Sequence, residues 1–386
     1  MTSATMANDG QPLSKRQKLW SWLADSLTQQ QRFSDYFEPL MQMLQPNWSS
    51  VSYRAQVLTV RSESDDVFSL VIRPKQSGFR RRWASFRAGQ HVELSVEKDG
   101  VRTSRTFSIS SSPDYFRKTG LIELTIRVQE QGAITPWLKQ HFAQGGLANI
   151  SSAYGDFVLS SADEEKPLLM IAGGSGITPF RSMLLEMQAM NSQREVHLLY
   201  YARNGEEFLF PQEFLRIQKE MPDVRISLMD SSQTGFIQSE HLSRCDFEFS
   251  DPQLQVMICG PTPMIKAARD VVANAGVTPE QIFFEYFGAA PIDQIEAVEG
   301  KQTISCERSD IQLQHDGDNP QSLLTMAEQA GLKPVSGCRI GVCHQCICKK
   351  QSGVVYNTKT ERYSDTGNED IQLCVSVAVT DLALDL

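Results

Sequence analysis

The chain has 386 residues, 41% hydrophobic and 22% charged, with a formal net charge of −9. At roughly 150 residues per domain this predicts two or three units of ordinary globular composition, and the acidic balance argues against nucleic acid, whose phosphates call for a basic face. No stretch reaches the ~18 apolar residues of a membrane span, and MTSATMANDGQPLSKRQK lacks the apolar centre of a secretion signal, so the expectation is cytoplasmic and the eight cysteines point to metal or redox chemistry.

Residues 1–50 read as an amphipathic helical extension. Leu19, Trp20, Leu23 and Leu27 share one face; Phe33, Tyr36, Phe37, Leu40 and Leu44 share another, with Pro39 marking a break. From 51 to 163 the period drops to two: Val92, Leu94 and Val96 alternate with His91, Glu93 and Ser95, and Ile122, Leu124, Ile126 and Val128 repeat the pattern. Short strands between Gly, Pro and Asp turns predict an antiparallel barrel or sandwich. Within it, RTFS at 105–108 offers Arg105 for bidentate contact with a pyrophosphate and Ser108 as a donor to a flavin ring atom. Read alone, such an arginine equally meets solvent. Downstream, EQGAITPWLKQHF places Gly132 and a Thr135-Pro136 helix start where an anion could bind, or where a helix is simply capped.

Over 164–290 the character changes again. PLLMIA, EVHLLYYA and LQVMICG are unbroken apolar runs, as in strands buried on both faces, and helical stretches separate them. An α/β unit with a mostly parallel sheet is predicted. GGSGITP, 173–179, follows the first run: Gly173, Gly174 and Gly176 would let backbone N–H groups approach a pyrophosphate, with Thr178 as helix N-cap and Pro179 in the first turn. A plain tight turn has the same letters. CGPTPM, 259–264, ends another buried strand and opens another helix, with Cys259 and Gly260 at the turn; two such turns predict a dinucleotide crevice. Tyr201 and Arg203, after the second strand, lie where an adenosine ribose would bind; Arg203 suits a 2′-phosphate and equally a plain surface position.

Residues 291–301 read as a linker, and 302–386 as a small α+β unit. Its helix is capped by Ser322, lays Leu323, Ala327 and Ala330 on one face, and ends at Gly331. CRIGVCHQC follows. Cys338, Cys343, Cys346 and Cys374 are separated by four, two and 27 residues, the plant-type spacing of a [2Fe-2S] cluster, a one-electron carrier near about −400 mV. A short loop must turn three thiolates inward, and Ser336, Gly337 and Gly341 keep it small so that backbone N–H groups approach sulfur. Structural zinc, the alternative, favours paired C-x2-C knuckles, and only Cys343 and Cys346 make one. Cys348 shares the strand face of Cys346 and stands outside the pattern.

RTFS, GGSGITP, CGPTPM and FFEYF, in this order and followed by CRIGVCHQC and Cys374, resemble the ferredoxin–NADP reductase superfamily, and more narrowly reductases with a fused C-terminal plant-type ferredoxin domain. The resemblance implies an FAD-binding antiparallel β-barrel over 51–163, an NAD(P)-binding α/β domain over 164–290 and a β-grasp [2Fe-2S] ferredoxin domain over 302–386. It implies Arg105 at the FAD pyrophosphate with Thr106 and Phe107 beside it, and Ser108 near flavin N5. Phe107 stands where the family usually has tyrosine, so a phenolic hydrogen bond is lost. Gly132 and Thr135 match the second FAD phosphate segment; Gly173, Gly174, Gly176 and Thr178 match the NAD(P) pyrophosphate turn. Cys259 and Gly260 would approach the nicotinamide, and Glu285 and Phe287 would cover the flavin. Ser108, Cys259, Glu285 and Phe287 are the implied catalytic set. Electrons would pass from NAD(P)H to FAD, to the cluster and to an outside acceptor, with Arg203 tipping the donor toward NADPH.

LWSWLADSLTQQQRFSDYFEPLMQML followed by NWSS resembles the extension of bacterial reductases that serve membrane fatty-acid desaturases. That implies a desaturase as acceptor and a place at the inner membrane through it; a helical pair packed on the barrel is the plainer reading. Arg80, Arg81 and Arg82 read as a solvated loop or a partner contact. The six histidines show no paired-ligand spacing, which supports an acceptor outside this chain. Two other roles stand beside this one: the reductase of a ring-hydroxylating or other iron oxygenase, and a redox sensor without turnover.

Overall fold

The computed structural model of the protein describes residues 52–75, 83–98, 101–129, 132, 134–142, 145–159, 165–286, 301–317, 319–341 and 345–386. The expected extension over 1–50, Arg80–Arg82, Phe287, the linker up to 300 and Cys343 lie outside these residues.

The first unit is a six-stranded antiparallel sheet of β1 (Tyr53–Ser62), β2 (Val67–Pro74), β3 (His91–Lys98), β4 (Val101–Ser108), β5 (Ile122–Arg127) and β6 (Leu147–Ile150), in the order β4-β3-β6-β1-β2-β5. Its two edges meet: Ile109 bridges to Leu124, and Ser110 N–H donates to Glu123 O at 2.8 Å, so the sheet curls toward a barrel. Helix α1 (Pro113–Thr119) starts at Ser112, whose side chain accepts from Tyr115 N–H, and stops at Gly120, where φ of 69° suits glycine. Helix α2 (Thr135–His141) carries Pro136 in its first turn.

Alternation along the strands holds for the core but not for the opposite face. Ile122, Leu124 and Ile126 are buried, as are Val92, Leu94 and Val96. Glu123, Thr125, His91, Glu93 and Ser95 between them are buried too. The polar faces of β3 and β5 are covered by the rest of the molecule.

The second unit is a parallel sheet of β7 (Leu168–Gly173), β8 (Val196–Ala202), β9 (Val224–Asp230), β10 (Gln255–Gly260) and β11 (Ile282–Tyr286), ordered β11-β10-β7-β8-β9. Around it lie α3 (Ile177–Ala189), α4 (Pro211–Glu220), α5 (Ser231–Thr234), α6 (Ser239–Leu242) and α7 (Thr262–Asn274). Every residue of β7 and β8 is buried, the state that continuous apolar runs predict. The chain steps outward from β7 to β8 and β9 and then returns to β10 on the other side. The strand order therefore reverses between β7 and β10, the place where open α/β sheets bind ligands.

The third unit holds β12 (Lys301–Cys306), β13 (Ile311–Asp316), α8 (Leu323–Gln329), β14 (Ile347–Ser352), β15 (Val355–Asn357), β16 (Arg362–Tyr363), β17 (Glu369–Gln372), β18 (Ser376–Ala378) and β19 (Leu382–Leu384). They form a five-stranded mixed sheet, β13-β12-β19-β14-β17, and a three-stranded one, β16-β15-β18. Ser322 caps α8, accepting from Thr325 N–H, and Leu323, Leu324 and Ala327 pack with Ile304 and Ile371. The helix ends at Ala330, followed by Gly331 with φ of 85°.

Among the described residues no helix is long and apolar enough to cross a membrane. The first two units are locked by buried polar contacts. Arg181 on α3 reaches Glu123 on β5 at 3.2 Å and Glu213 on α4 at 2.5 Å, with its guanidinium 4.1 Å over the Phe210 ring. Ser182 donates to Ser111 O at 2.6 Å, and Glu186 accepts from Asp114 N–H at 2.7 Å.

Candidate active site

All three units wall one cavity of about 310 Å³. The barrel contributes His91, Arg105, Thr106, Phe107, Ser108 and the stretch through Gly132 to Thr135; the parallel sheet contributes Ser175, Thr178, Glu285 and Tyr286; the third unit contributes Cys338 and Ile340.

On the barrel side the β3–β4 register sets His91 opposite Ser108 and Glu93 opposite Thr106. Thr106 Oγ1 lies 3.1 Å from the Tyr154 hydroxyl, and the Tyr154 ring stands edge-on to His91 at 4.3 Å. Gly155, at φ of 111°, admits the imidazole: a Cβ there would come within 2.5 Å of it. Arg105 is half-buried and donates to Ser104 O at 2.7 Å. Burial first, then the charge of Arg339, pulls its guanidinium below the ordinary value, while Cys338 opposes this. Among the described residues no carboxylate pairs with Arg105, so the charge suits an anionic ligand in the cavity. Gly132 N–H donates to Gln129 O at 2.7 Å, and Thr135 Oγ1 accepts from Gln129 N–H at 2.8 Å; together they shape the loop before α2.

On the nucleotide side, the glycines serve close packing of two turns. A Cβ on Gly173 would overlap Met264 Sδ, and one on Gly176 would overlap the Cys259 carbonyl. Gly260 has its nearest neighbour in Gly173 N, 3.1 Å from where a Cβ would stand, and Gly174 sits at φ of 54°. Thr178 differs from its expected role. Gly176 is the N-cap of α3, and Thr178, one residue inside the helix, donates its hydroxyl to Ser175 O at 3.0 Å. Tyr201 also departs from expectation: it is buried, with its hydroxyl 3.0 Å from His241 Nδ1, so it faces the core rather than a ribose. Arg203 lies at the surface, its Nε donating to Glu207 at 3.1 Å.

Cys259 and Glu285 are lateral neighbours on β10 and β11. Burial, and after it the charge of Glu285, pushes the Cys259 thiol well above its ordinary value. The Glu285 Oε1 lies 3.3 Å from His91 Nδ1. His91 Nε2, Glu285 Oε2 and Arg127 Nε are buried without a hydrogen-bond partner among the described residues. The residues fit an FAD: a cation for its phosphates and unsatisfied polar atoms for its ring edges. Sequence reasoning passed over His91, Tyr154 and Arg127. The only signal for them was a polar residue alternating into a strand, which usually marks a solvent face.

In the third unit Cys338, Cys346 and Cys374 are buried. The thiols of Cys346 and Cys374 share a hydrogen bond, which holds Cys346 below the ordinary range, at about 7, and drives Cys374 up. Ile340 N–H donates to Cys338 Sγ at 3.5 Å, and the Gly341 backbone bonds toward Cys374. The turn needs two left-handed residues, Arg339 at φ of 60° and Gly341 at 73°, and a Cβ on Gly341 would come within 2.8 Å of Val375. Its carbonyl is pulled outward by Lys359 Nζ at 3.0 Å and Gln372 Nε2 at 3.3 Å. Among the described residues no group of three or more His, Cys, Asp or Glu stands at metal-holding distances. The Cys346 and Cys374 thiols, with the Ile340 and Gly341 backbone amides turned toward sulfur, are donors of the type an iron–sulfur site uses. Cys348, two residues beyond Cys346, is pushed up to about 11 by burial and stays a protonated thiol.

A family model described as an oxidoreductase FAD-binding domain matches residues 58–159, and an oxidoreductase NAD-binding domain matches 170–270. An NADPH oxidoreductase of Mycobacterium tuberculosis is 27% identical over 348 residues, spanning 90% of this chain and 87% of that protein. The chain is an oxidoreductase of the ferredoxin reductase type. The reductase is also 26% identical over 292 residues to the glycine betaine monooxygenase reductase subunit of Chromohalobacter salexigens, covering 70% of this chain and 78% of that one. Among solved structures, phthalate dioxygenase reductase shares the fold of the reductase at a TM-score of 0.58 and 24% identity, over 87% of this chain and 98% of that one.

Proposed function

We propose that the reductase passes electrons from NAD(P)H, by way of FAD, to a [2Fe-2S] cluster held by Cys338, Cys343, Cys346 and Cys374 in a ferredoxin-like domain, and on to a separate acceptor protein. One observation carries this reading: the RTFS strand, the glycine turn, Glu285 and Cys338 wall a single cavity. Bound there, FAD would supply a hydride acceptor able to pass single electrons to a one-electron cluster.

The residues of the chain bind, orient and exclude water. Arg105 neutralises the pyrophosphate, and Ser108, level with His91, meets the polar edge of the ring. Cys259 stays a neutral thiol, because burial and Glu285 hold its proton, and so lines the nicotinamide pocket as a small polarisable group rather than a nucleophile. Glu285 and His91 face each other at 3.3 Å across the barrel–nucleotide junction, in the wall of the cavity. Arg203, exposed at the end of β8, supports NADPH as donor.

The test is composition and colour. Protein purified without oxygen should contain one FAD and two irons per chain, and NADPH should bleach both chromophores. Zinc in place of iron would overturn the cluster assignment; no flavin would overturn the whole reading.

For the acceptor, we propose a membrane fatty-acyl desaturase, on the character of residues 19–50. The monooxygenase reductase relative favours a second reading, an iron oxygenase as acceptor. Reconstitution with desaturase-bearing membranes against a soluble oxygenase separates the two.

A further inference from the structure

Among the described residues, two polar contacts tie the third unit to the other two, one to the barrel and one to the nucleotide unit. Gln345, the residue before Cys346, donates its amide to both oxygens of Glu93 on the barrel, at 2.9 and 3.0 Å. At the nucleotide unit, Glu361 accepts a two-pronged hydrogen bond from Arg269 of α7, at 2.5 and 2.9 Å. The Arg269 guanidinium also lies 4.3 Å over the Phe284 ring of β11, which fixes its plane. Both side chains are about three-quarters covered, at 26% and 24% exposure, deeper than an ordinary surface pair.

Glu361 is presented by a strained turn. It sits at φ of 55° between β15 and β16, in a loop tied by Asn357 Oδ1, which accepts from Lys359 N–H at 3.0 Å and Thr360 N–H at 3.1 Å. The same loop sends Lys359 Nζ to the Gly341 carbonyl. One hairpin thus grips the thiol-bearing loop with one residue and the nucleotide unit with another.

We propose that Glu93 and Arg269 form a docking surface for the C-terminal unit of the same chain, which meets it with Gln345 and Glu361, and that Arg269 and Glu361 are positioning residues that keep Cys338 in the cavity wall. This rests on the cluster reading above for its consequence, though not for its geometry. Each crossing oxidises the flavin by one electron and reduces the cluster by one, NAD(P)H supplying the pair and the acceptor protein draining it. A docked third unit shortens that crossing; a loosened one leaves hydride transfer alone.

Two measurements on the full-length protein test this. In the first, Arg269→Lys is treated with a carbodiimide, which joins an amine to a touching carboxylate. Peptide mapping should find one new link, between position 269 and Glu361, and Glu361→Gln in the same background should abolish it. Absence of the link, or its survival in the double variant, overturns the latch whether or not iron is present. In the second, rapid mixing with NADPH resolves flavin reduction from cluster bleaching. Arg269→Glu should slow the bleaching phase roughly fivefold, the size of a partly exposed pair, with flavin reduction within about twofold of wild type. Adding Glu361→Arg should restore it. Equal slowing of both phases, or no recovery on charge exchange, overturns the positioning role. A protein without iron would sink the cluster reading and leave the cross-link to report on the latch alone.

Discussion

The two junctions of the molecule are built differently. Between barrel and nucleotide sheet, Arg181, Glu123, Ser111 and Ser182 are all buried, and the ion pairs share partners: Glu123 also accepts from Arg61 at 2.8 Å. Between the C-terminal unit and the rest, the described residues make one amide–carboxylate contact, Gln345 to Glu93, and one bidentate ion pair, Arg269 to Glu361, the latter within reach of water. Buried networks are costly to open because each freed charge loses its partner in a poor dielectric, whereas partly wet pairs exchange with solvent cheaply. The first junction holds barrel and nucleotide sheet in fixed register; on the proposed reading, the second lets the C-terminal unit dock and release.

The harshest test of that contrast removes the carrier itself. Cys374→Ser should abolish iron binding and transfer to the acceptor while NADPH still reduces the flavin, read by iron assay and stopped-flow absorbance. Next, Arg181→Ala removes the buried cation that Glu123 and Glu213 share and should cost about 3–5 kcal/mol by denaturant unfolding, the range for breaking one partner of a buried pair. Gly176→Ala forces a methyl against the Cys259 carbonyl; a strain of about 1–3 kcal/mol and weakened nucleotide affinity are expected, measured by unfolding and by NADP⁺ titration. Raising salt from low to high should slow only the flavin-to-cluster phase, by about twofold, since the screened pair lies at the second junction.

The smallest effect concerns pH. Burial, then the charge of Arg225, lowers the His197 imidazole from 6.5 to about 4. A histidine with a depressed folded pKa contributes stability that is present above 6.5 and lost as pH falls toward 4. His197→Gln should flatten the melting temperature over that window, with no change in the docking phase.

Much of the architecture was legible in one dimension. The period of two in β3 and β5 marks a barrel core, and the unbroken apolar runs of β7, β8 and β10 mark strands covered on both faces. Ser322 announced the start of α8, because a cap acts over three residues. Thr178 misled for a related reason. A threonine before proline looks like a cap, but the helix begins two residues earlier, with Gly176 as its N-cap. Tyr201 misled because an aromatic at a strand end carries no mark of which way it turns; His241, forty residues on, decides it.

What the residues determined unaided is local: strand period, turn chemistry, capping, and the thiol spacing around Cys338. What only the folded chain decided is which polar residues leave water. Glu93 and His91 on β3 and Glu123 on β5 stand at the polar positions of alternating strands and are the seams on which other units sit, since desolvating a carboxylate or imidazole becomes tolerable only when a distant partner such as Gln345, Arg181 or Glu285 arrives at hydrogen-bonding range. Partners separated by tens to hundreds of positions leave no periodic trace, because no local rule couples them.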